Sequence, residues 1–155
     1  MLLGKSRQLA CFKMYWRETI VCLGLLLFGC AEPRSSQCQQ IFAISQNLER
    51  TNQTENQAEQ PQSRSPQAWL QAAQRFSQAA GDLRALEIKE QELRQYQQQL
   101  ANIYQIYART TADAVKARKN KDLTSLKSAR QDGLEAGLRQ PQLIRKLNAY
   151  CLPPE

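Results

Sequence analysis

Apolar residues recur along the chain at steps of three and four, the spacing of helices with one buried face. The first such stretch predicts a helix from Ser35 or Ser36 to about Arg50. Its apolar face consists of Cys38, Ile41, Phe42, Ile44 and Leu48. The next stretch, residues 51–65, is almost entirely polar and contains Pro61, so we expect an exposed loop there.

A second helix is predicted to begin at Ser65-Pro66, because a serine side chain caps a helix and proline suits its first position. Its apolar face consists of Trp69, Ala73, Phe76, Ala80 and Leu83. The pattern changes phase near residues 86–89, which predicts a turn and a third helix packed antiparallel to the second.

The third helix has the most regular pattern of the chain. Its apolar face consists of Leu93, Tyr96, Leu100, Ile103, Tyr107 and Ala114, widened by Ile106 and Val115. Its opposite face carries Gln91, Gln95, Gln98, Gln99 and Gln105. Polar helix faces usually meet water, so we expect solvated glutamines, with a partner-binding face as the alternative.

Asp122 is predicted to cap a fourth helix, which ends before Pro141. Its buried side is predicted to consist of Leu123, Leu126, Leu134 and Leu138, followed by a short helix that buries Leu143, Ile144, Leu147 and Cys151. Gly133 and Gly137 indicate either a close helix contact or a locally weak helix. The chain is therefore predicted to be all-α, an antiparallel four-helix bundle whose last helix is interrupted at Pro141.

An apolar segment of nine residues, Ile20 to Phe28, precedes the predicted bundle. It follows Lys5, Arg7, Lys13 and Arg17, with Glu18 as the one acid among them. A spanning helix needs about 20 apolar residues, whereas a signal-peptide core needs roughly 7–15. We therefore expect an N-terminal signal helix that begins at Met1 or Met14, with an uncleaved signal anchor or an ordinary buried apolar helix as the alternatives.

The residues that end this segment, Leu27-Phe28-Gly29-Cys30, resemble the lipobox of bacterial lipoprotein precursors. The resemblance implies cleavage after Gly29 and attachment of lipid, such as palmitate, to the sulfur of Cys30. The domain would then be anchored by lipid on the extracytoplasmic side, periplasmic or lumenal. The layout is also similar to small exported helical lipoproteins of unassigned function with one cysteine near each end of the domain.

The sequence is thus divided into a signal peptide (1–29), a tether (30–36) and a helical domain (37–152). The 155-residue chain has a net charge of +7. The signal contains four of its 21 basic and one of its 14 acidic residues, which leaves a net charge of +4 on the remainder. Such a mildly basic domain, outside the cytoplasm, does not indicate a nucleic-acid partner.

Two cysteines, Cys38 and Cys151, remain beyond the signal and the lipid site. Cysteines of exported domains usually pair, so we expect a Cys38–Cys151 disulfide, with two inert buried thiols as the alternative. The chain contains no histidine, which excludes Ser-His-Asp and Cys-His catalytic pairs and the usual zinc sites. No catalytic residue, metal site or cofactor is therefore predicted.

A basic cluster of Lys116, Arg118, Lys119 and Lys121 ends the third helix. Cations in a last turn oppose the negative end of the helix dipole. Binding to anionic lipid headgroups, or to a partner, is the alternative for a domain held near a membrane.

Three functions are compatible with these features. The first is a membrane-tethered interaction or assembly module with a protein partner. The second is a carrier that holds a small molecule or lipid between its helices, oriented by the hydroxyls of Tyr96, Tyr104 and Tyr107. An enzyme is the least expected, because the acids are interleaved with lysine and arginine, as on solvated helix faces.

Overall fold

The computed structural model describes residues 33–57 and 65–152, with side chains for 33–51 and 65–152. They form four helices: α1 (Arg34–Gln57), α2 (Pro66–Ala85), α3 (Gln91–Lys119) and α4 (Leu123–Cys151). The all-α prediction is confirmed, and the described residues contain no strand. The predicted signal peptide and the predicted lipid site, Cys30, lie outside the described residues.

The predicted helix boundaries at Ser65 and Asp122 are confirmed by their caps. The hydroxyl of Ser65 accepts a hydrogen bond from the Ala68 N–H at 3.1 Å, and Pro66 follows it. The carboxylate of Asp122 accepts one from the Ser125 N–H at 3.0 Å. Two short turns, residues 86–90 and 120–122, therefore join α2, α3 and α4 as antiparallel neighbours.

Helix α3 is the centre of the bundle, because it packs along both α2 and α4. Leu93 and Leu100 are completely buried on α3, where they join Leu83 of α2 and Leu147 of α4 in one core. Helix α1 packs on α2 and touches α4, and it contributes the fully buried Ile41. The predicted core positions of the first three helices are buried or partly buried, with the exception of Trp69, which is 50% exposed near the start of α2.

The first helix is longer than predicted, because α1 continues beyond Arg50 to Gln57. Residues 51–57 are therefore helical and were wrongly assigned to the loop. The segment is polar, but it contains neither glycine nor proline, and glutamine and glutamate are good helix formers. The Thr51 hydroxyl also bonds back to the carbonyl of Asn47, at 2.8 Å, so it does not oppose the helix.

The predicted interruption at Pro141 is also wrong, because α4 is one helix of 29 residues that contains this proline. Proline removes one helical hydrogen bond and crowds the carbonyl four residues earlier, which here belongs to Gly137. Buried residues on either side, Ala136 and Leu143, attach both halves of α4 to the core. Tertiary packing therefore maintains the helix where its local sequence favours a break.

The predicted buried face of α4 is wrong in its first half. Leu123, Leu134 and Leu138 are 78%, 58% and 74% exposed, and Leu126 is half-buried. The residues that face the core are instead Ala129 and Ala136, with the two glycines beside them. A methyl group on Gly133 would lie 3.4 Å from the Thr110 hydroxyl of α3, so the glycines belong to a close contact between helices.

Candidate binding surfaces

A disulfide joins the first and last helices, as predicted. The sulfurs of Cys38 and Cys151 are 2.02 Å apart and their Cα atoms are 5.9 Å apart, although the two residues are separated by 113 positions in the sequence. Because the bond connects the start of α1 to the end of α4, it fixes the two ends of the domain side by side.

A charged cluster lies at the same end of the bundle. The Arg34 guanidinium donates to the Glu90 carboxylate at 3.1 and 3.3 Å and lies 4.7 Å from the centre of the Tyr150 ring. The Tyr150 hydroxyl also donates to Glu90. The cluster thus connects the start of α1, the turn before α3 and the end of α4.

The hydrogen bond from Tyr150, followed by those from Arg34, lowers the pKa of Glu90. The same bond raises the pKa of Tyr150. The Glu90 carboxylate accepts hydrogen bonds from both Tyr150 and Arg34, so the cluster leaves no unpaired charge for a ligand. We interpret it as a structural contact.

Two buried glutamines, which the sequence pattern did not single out, hold the turn between α2 and α3. The Gln37 carbonyl accepts from the backbone N–H of Lys89 at 2.8 Å. The Gln97 amide donates to the carbonyls of Leu83 and Leu86, the latter at 2.9 Å. Both side chains are nearly inaccessible to solvent, at 2% and 4% exposure. They differ in this from the five predicted glutamines of α3, which are exposed.

An open groove of about 670 Å³ runs between α1 and α4, over the middle of α3. Its base is aromatic, because the Phe76 ring lies 5.8 Å from that of Tyr104 and 5.2 Å from that of Tyr107. Its remaining lining residues are Phe42, Ser45, Gln46, Leu48, Glu49, Thr111, Gln140, Ile144 and Asn148. The groove begins beyond the disulfide, where α1 and α4 have few contacts.

The structure brings two of the three predicted ligand-orienting tyrosines into this groove. The Tyr104 hydroxyl bonds to that of Ser45 at 3.1 Å, and the Tyr107 hydroxyl donates to the Gln140 side chain at 2.8 Å. Burial raises the pKa of both phenols. Tyr96 lies elsewhere, in an edge-to-face contact with Tyr150, and its hydroxyl donates a hydrogen bond to Glu92. Since the two hydroxyls already have partners within the bundle, the rings present mainly apolar surface.

The predicted basic cluster lies at the opposite end of α3 from the disulfide. Lys116, Arg118, Lys119 and Lys121 are all exposed there. The last carbonyls of α3 accept from backbone N–H groups of the turn, for example Lys116 from Asn120 at 3.0 Å and Ala117 from Asp122 at 2.9 Å. The basic side chains are therefore not required to satisfy the end of the helix.

Three aspartates, Asp113, Asp122 and Asp132, line a cleft of about 430 Å³ beside this cluster. Lys116 lines the same cleft, and Asp132 pairs with Arg109 at 3.0 Å. The Asp122 carboxylate is occupied by its cap, which lowers its pKa. Asp132 and Asp122 thus have a basic and a capping partner, an arrangement typical of a solvated surface.

No protein-family model matches the sequence, and no curated protein or solved structure shows significant similarity to it. Within residues 33–57 and 65–152, no helix has an apolar stretch long enough to cross a bilayer. The same residues contain no group of three potential metal ligands among cysteine and the acidic side chains.

Proposed function

We propose that the protein is an exported lipoprotein, anchored through an acyl chain on Cys30, that acts as an interaction module without catalytic activity. Its helical bundle would bind a segment of a protein partner in the groove between α1 and α4, on the extracytoplasmic side of the membrane. The observation that carries the proposal is the aromatic base of this groove.

The shape of the groove favours a protein segment. Amphipathic helices bind other proteins by placing their apolar face in a groove of this kind. Phe42, Phe76 and Ile144 are partly exposed in the groove, so a partner would remove apolar surface from water. Trp69, half-exposed on α2, is a second candidate anchor, because tryptophan is enriched among residues that dominate binding energy.

The tether is supported by the sequence alone. The basic N-terminal flank, the short apolar core and the lipobox-like Leu27-Phe28-Gly29-Cys30 predict export and acylation. A disulfide between Cys38 and Cys151 is compatible with an oxidising compartment. The lack of histidine leaves the chain without the usual catalytic bases for serine or cysteine nucleophiles.

The second candidate function is a carrier for a small apolar molecule or lipid in the same groove. Its volume is within the usual range for ligand sites, about 300–1,000 Å³. Ligand sites usually enclose most of their ligand, however, and this groove is open along α1 and α4. The openness therefore favours the protein segment.

Photo-crosslinking in the native membrane tests the proposal. A photoreactive amino acid replaces Gln46, which is exposed at the edge of the groove, or Gln71, which is exposed on α2 away from it. We expect a discrete protein adduct from position 46 and none from position 71. The Asn148→Arg substitution, which places a long side chain in the groove, should abolish that adduct without unfolding the bundle, because Asn148 is exposed.

The other possible results of the crosslinking experiment test the groove and distinguish the two candidate functions. A small-molecule or lipid adduct at position 46 would support the carrier. Equal adducts at positions 46 and 71, or an adduct that persists in the Asn148→Arg variant, would contradict a specific role for the groove. The absence of any adduct at position 46 would contradict both candidate functions.

A further inference from the structure

An exposed stripe of leucines and cations runs along the outer side of α4. Steps of three and four, and a last step of seven, connect its members, so they share one face of the helix. The stripe consists of Leu123, Lys127, Arg130, Leu134, Leu138, Pro141, Arg145 and, just past the helix, Leu152. It extends over about 40 Å at 1.5 Å per residue. All of these residues are exposed, and the stripe holds four of the six large apolar side chains that the described part of the chain exposes.

The charge of the stripe is entirely positive. It contains three cations and no acid, and the basic cluster of Lys116, Arg118, Lys119 and Lys121 lies next to its first residue. The nearest acids are engaged elsewhere. Asp122, which precedes Leu123, caps α4 through Ser125. Glu135 faces Arg139 at 3.5 Å and Asp132 faces Arg109 at 3.0 Å. A binding partner of the stripe must therefore be negatively charged and accept apolar side chains.

We propose that the stripe of α4 rests on the surface of a bilayer that contains anionic phospholipids. A helix with leucines and cations on one face binds in the plane of the membrane interface, where its apolar side chains enter the acyl boundary and its cations meet headgroups. A second copy of the chain fits poorly, because every charge on the stripe has the same sign in any register. A bilayer with anionic headgroups supplies both negative charge and an apolar interior along the whole length of the stripe.

The position of the tether is consistent with this orientation, and here the inference rests on the proposed function. Only four residue steps separate Cys30 from Arg34, a reach of about 14 Å at most. The disulfide attaches the start of α1 to the end of α4, so a lipid on Cys30 would hold Leu152 close to the membrane. The far end of the stripe, at Leu123, then needs its own contacts to stay on the surface, and the basic cluster lies at that end.

Lysine footprinting of the full-length protein tests the inference. The chain is purified from its membrane and reconstituted into vesicles of phosphatidylcholine, alone or mixed with phosphatidylglycerol. A water-soluble acylating reagent then modifies exposed lysines, and mass spectrometry measures their rates. We expect the rate at Lys127 to fall severalfold in the anionic vesicles. Lys146, exposed on the same helix about a third of a turn from the stripe, is the internal control and should change little.

The double variant Leu134→Glu/Leu138→Glu should restore the rate at Lys127, whereas Leu70→Glu, an exposed leucine on α2, should not. Circular dichroism and the intact disulfide verify folding of each variant. Equal rates at Lys127 in both kinds of vesicle would overturn the inference. So would protection of Lys127 in native membranes only, because that result assigns the stripe to a protein partner. Intact mass of the same sample reports acylation of Cys30, so a failed tether is distinguishable from a failed stripe.

Discussion

At the scale of single residues, Gln97 illustrates what sequence patterns cannot identify. It stands in a run of glutamines, and Gln95, Gln98 and Gln99 are exposed as expected. Gln97 is buried because the carbonyls of Leu83 and Leu86, at the end of α2, lie within reach of its amide. Those carbonyls are placed by the packing of two helices. Spacing along α3 places Gln97 on the buried face, four residues after Leu93 and three before Leu100, but only the packed structure identifies the carbonyls that its amide meets.

The substitution Gln97→Leu should destabilise the protein by about 1–3 kcal/mol, because it removes the buried amide that donates to the carbonyls of Leu83 and Leu86. Urea unfolding monitored by circular dichroism measures the change. The matched control, Gln99→Leu, removes an exposed amide on the same helix and should change stability by less than about 0.5 kcal/mol. Equal effects of the two substitutions would contradict the assigned role of Gln97.

Glu90 predicts a pH dependence of stability. Its pKa is lowered in the folded protein, chiefly by the hydrogen bond from Tyr150, so its ionised form favours folding. This contribution to stability is complete above pH 4.5, the ordinary pKa of glutamate, and is lost as the pH falls through the lowered pKa of Glu90 in the folded protein. The urea midpoint of the wild type should therefore fall more steeply below pH 4.5 than that of Tyr150→Phe. This variant lacks the hydrogen bond that is the largest cause of the lowered pKa of Glu90. Parallel pH profiles for the two proteins would refute this assignment.

At the scale of helices, the first three, apart from residues 51–57 of α1, and the turn between α2 and α3 were predictable, whereas the orientation of α4 was not. The caps at Ser65 and Asp122 and the regular apolar spacing on α3 are local signals, and they were sufficient to predict these helices. On α4, hydrophobicity suggested that the leucines face inward. The structure instead packs alanine and glycine against α3 and exposes the leucines. Small side chains are required where α4 packs closely on α3, and this requirement outweighs hydrophobicity. A prediction based on hydrophobicity alone therefore selects the wrong face of α4.

Two leucines of α4 test this orientation directly. Leu147 is fully buried and Leu138 is 74% exposed. Leu147→Ala should cost about 2–5 kcal/mol of stability, since it leaves a cavity in the core. Leu138→Ala should change stability by less than about 0.5 kcal/mol. Thermal or urea unfolding of the two variants provides the comparison, and a large loss for Leu138→Ala would mean that α4 is rotated from the orientation described.

At the scale of the whole molecule, the fold class and the disulfide followed from the sequence, while the groove did not. The pairing of Cys38 with Cys151 was predictable because an exported chain leaves few alternatives for two remaining cysteines. The groove depends on how far α1 and α4 diverge beyond that bond. Tyr104 and Tyr107 were candidates in the sequence, but Phe76 and Ile144, which complete the apolar lining with them, were assigned to the core.

The disulfide should be a major source of stability. In the chain-entropy model, closing a loop of this length contributes about 4–5 kcal/mol. The double variant Cys38→Ser/Cys151→Ser should lose about that amount in urea unfolding. A reductant should bring the wild type to the same midpoint and leave the variant unchanged. A variant as stable as the oxidised wild type would show that the bundle does not depend on this bond.

The central claim is a disulfide-linked helical domain anchored by lipid at Cys30. Intact mass spectrometry of the protein from its own membranes, with and without reductant, tests it most directly. We predict a chain that begins at an acylated Cys30 and is about 2 Da lighter before reduction, since one disulfide lacks two hydrogens. A full-length, unacylated chain with free thiols would contradict the account of export, tether and disulfide together.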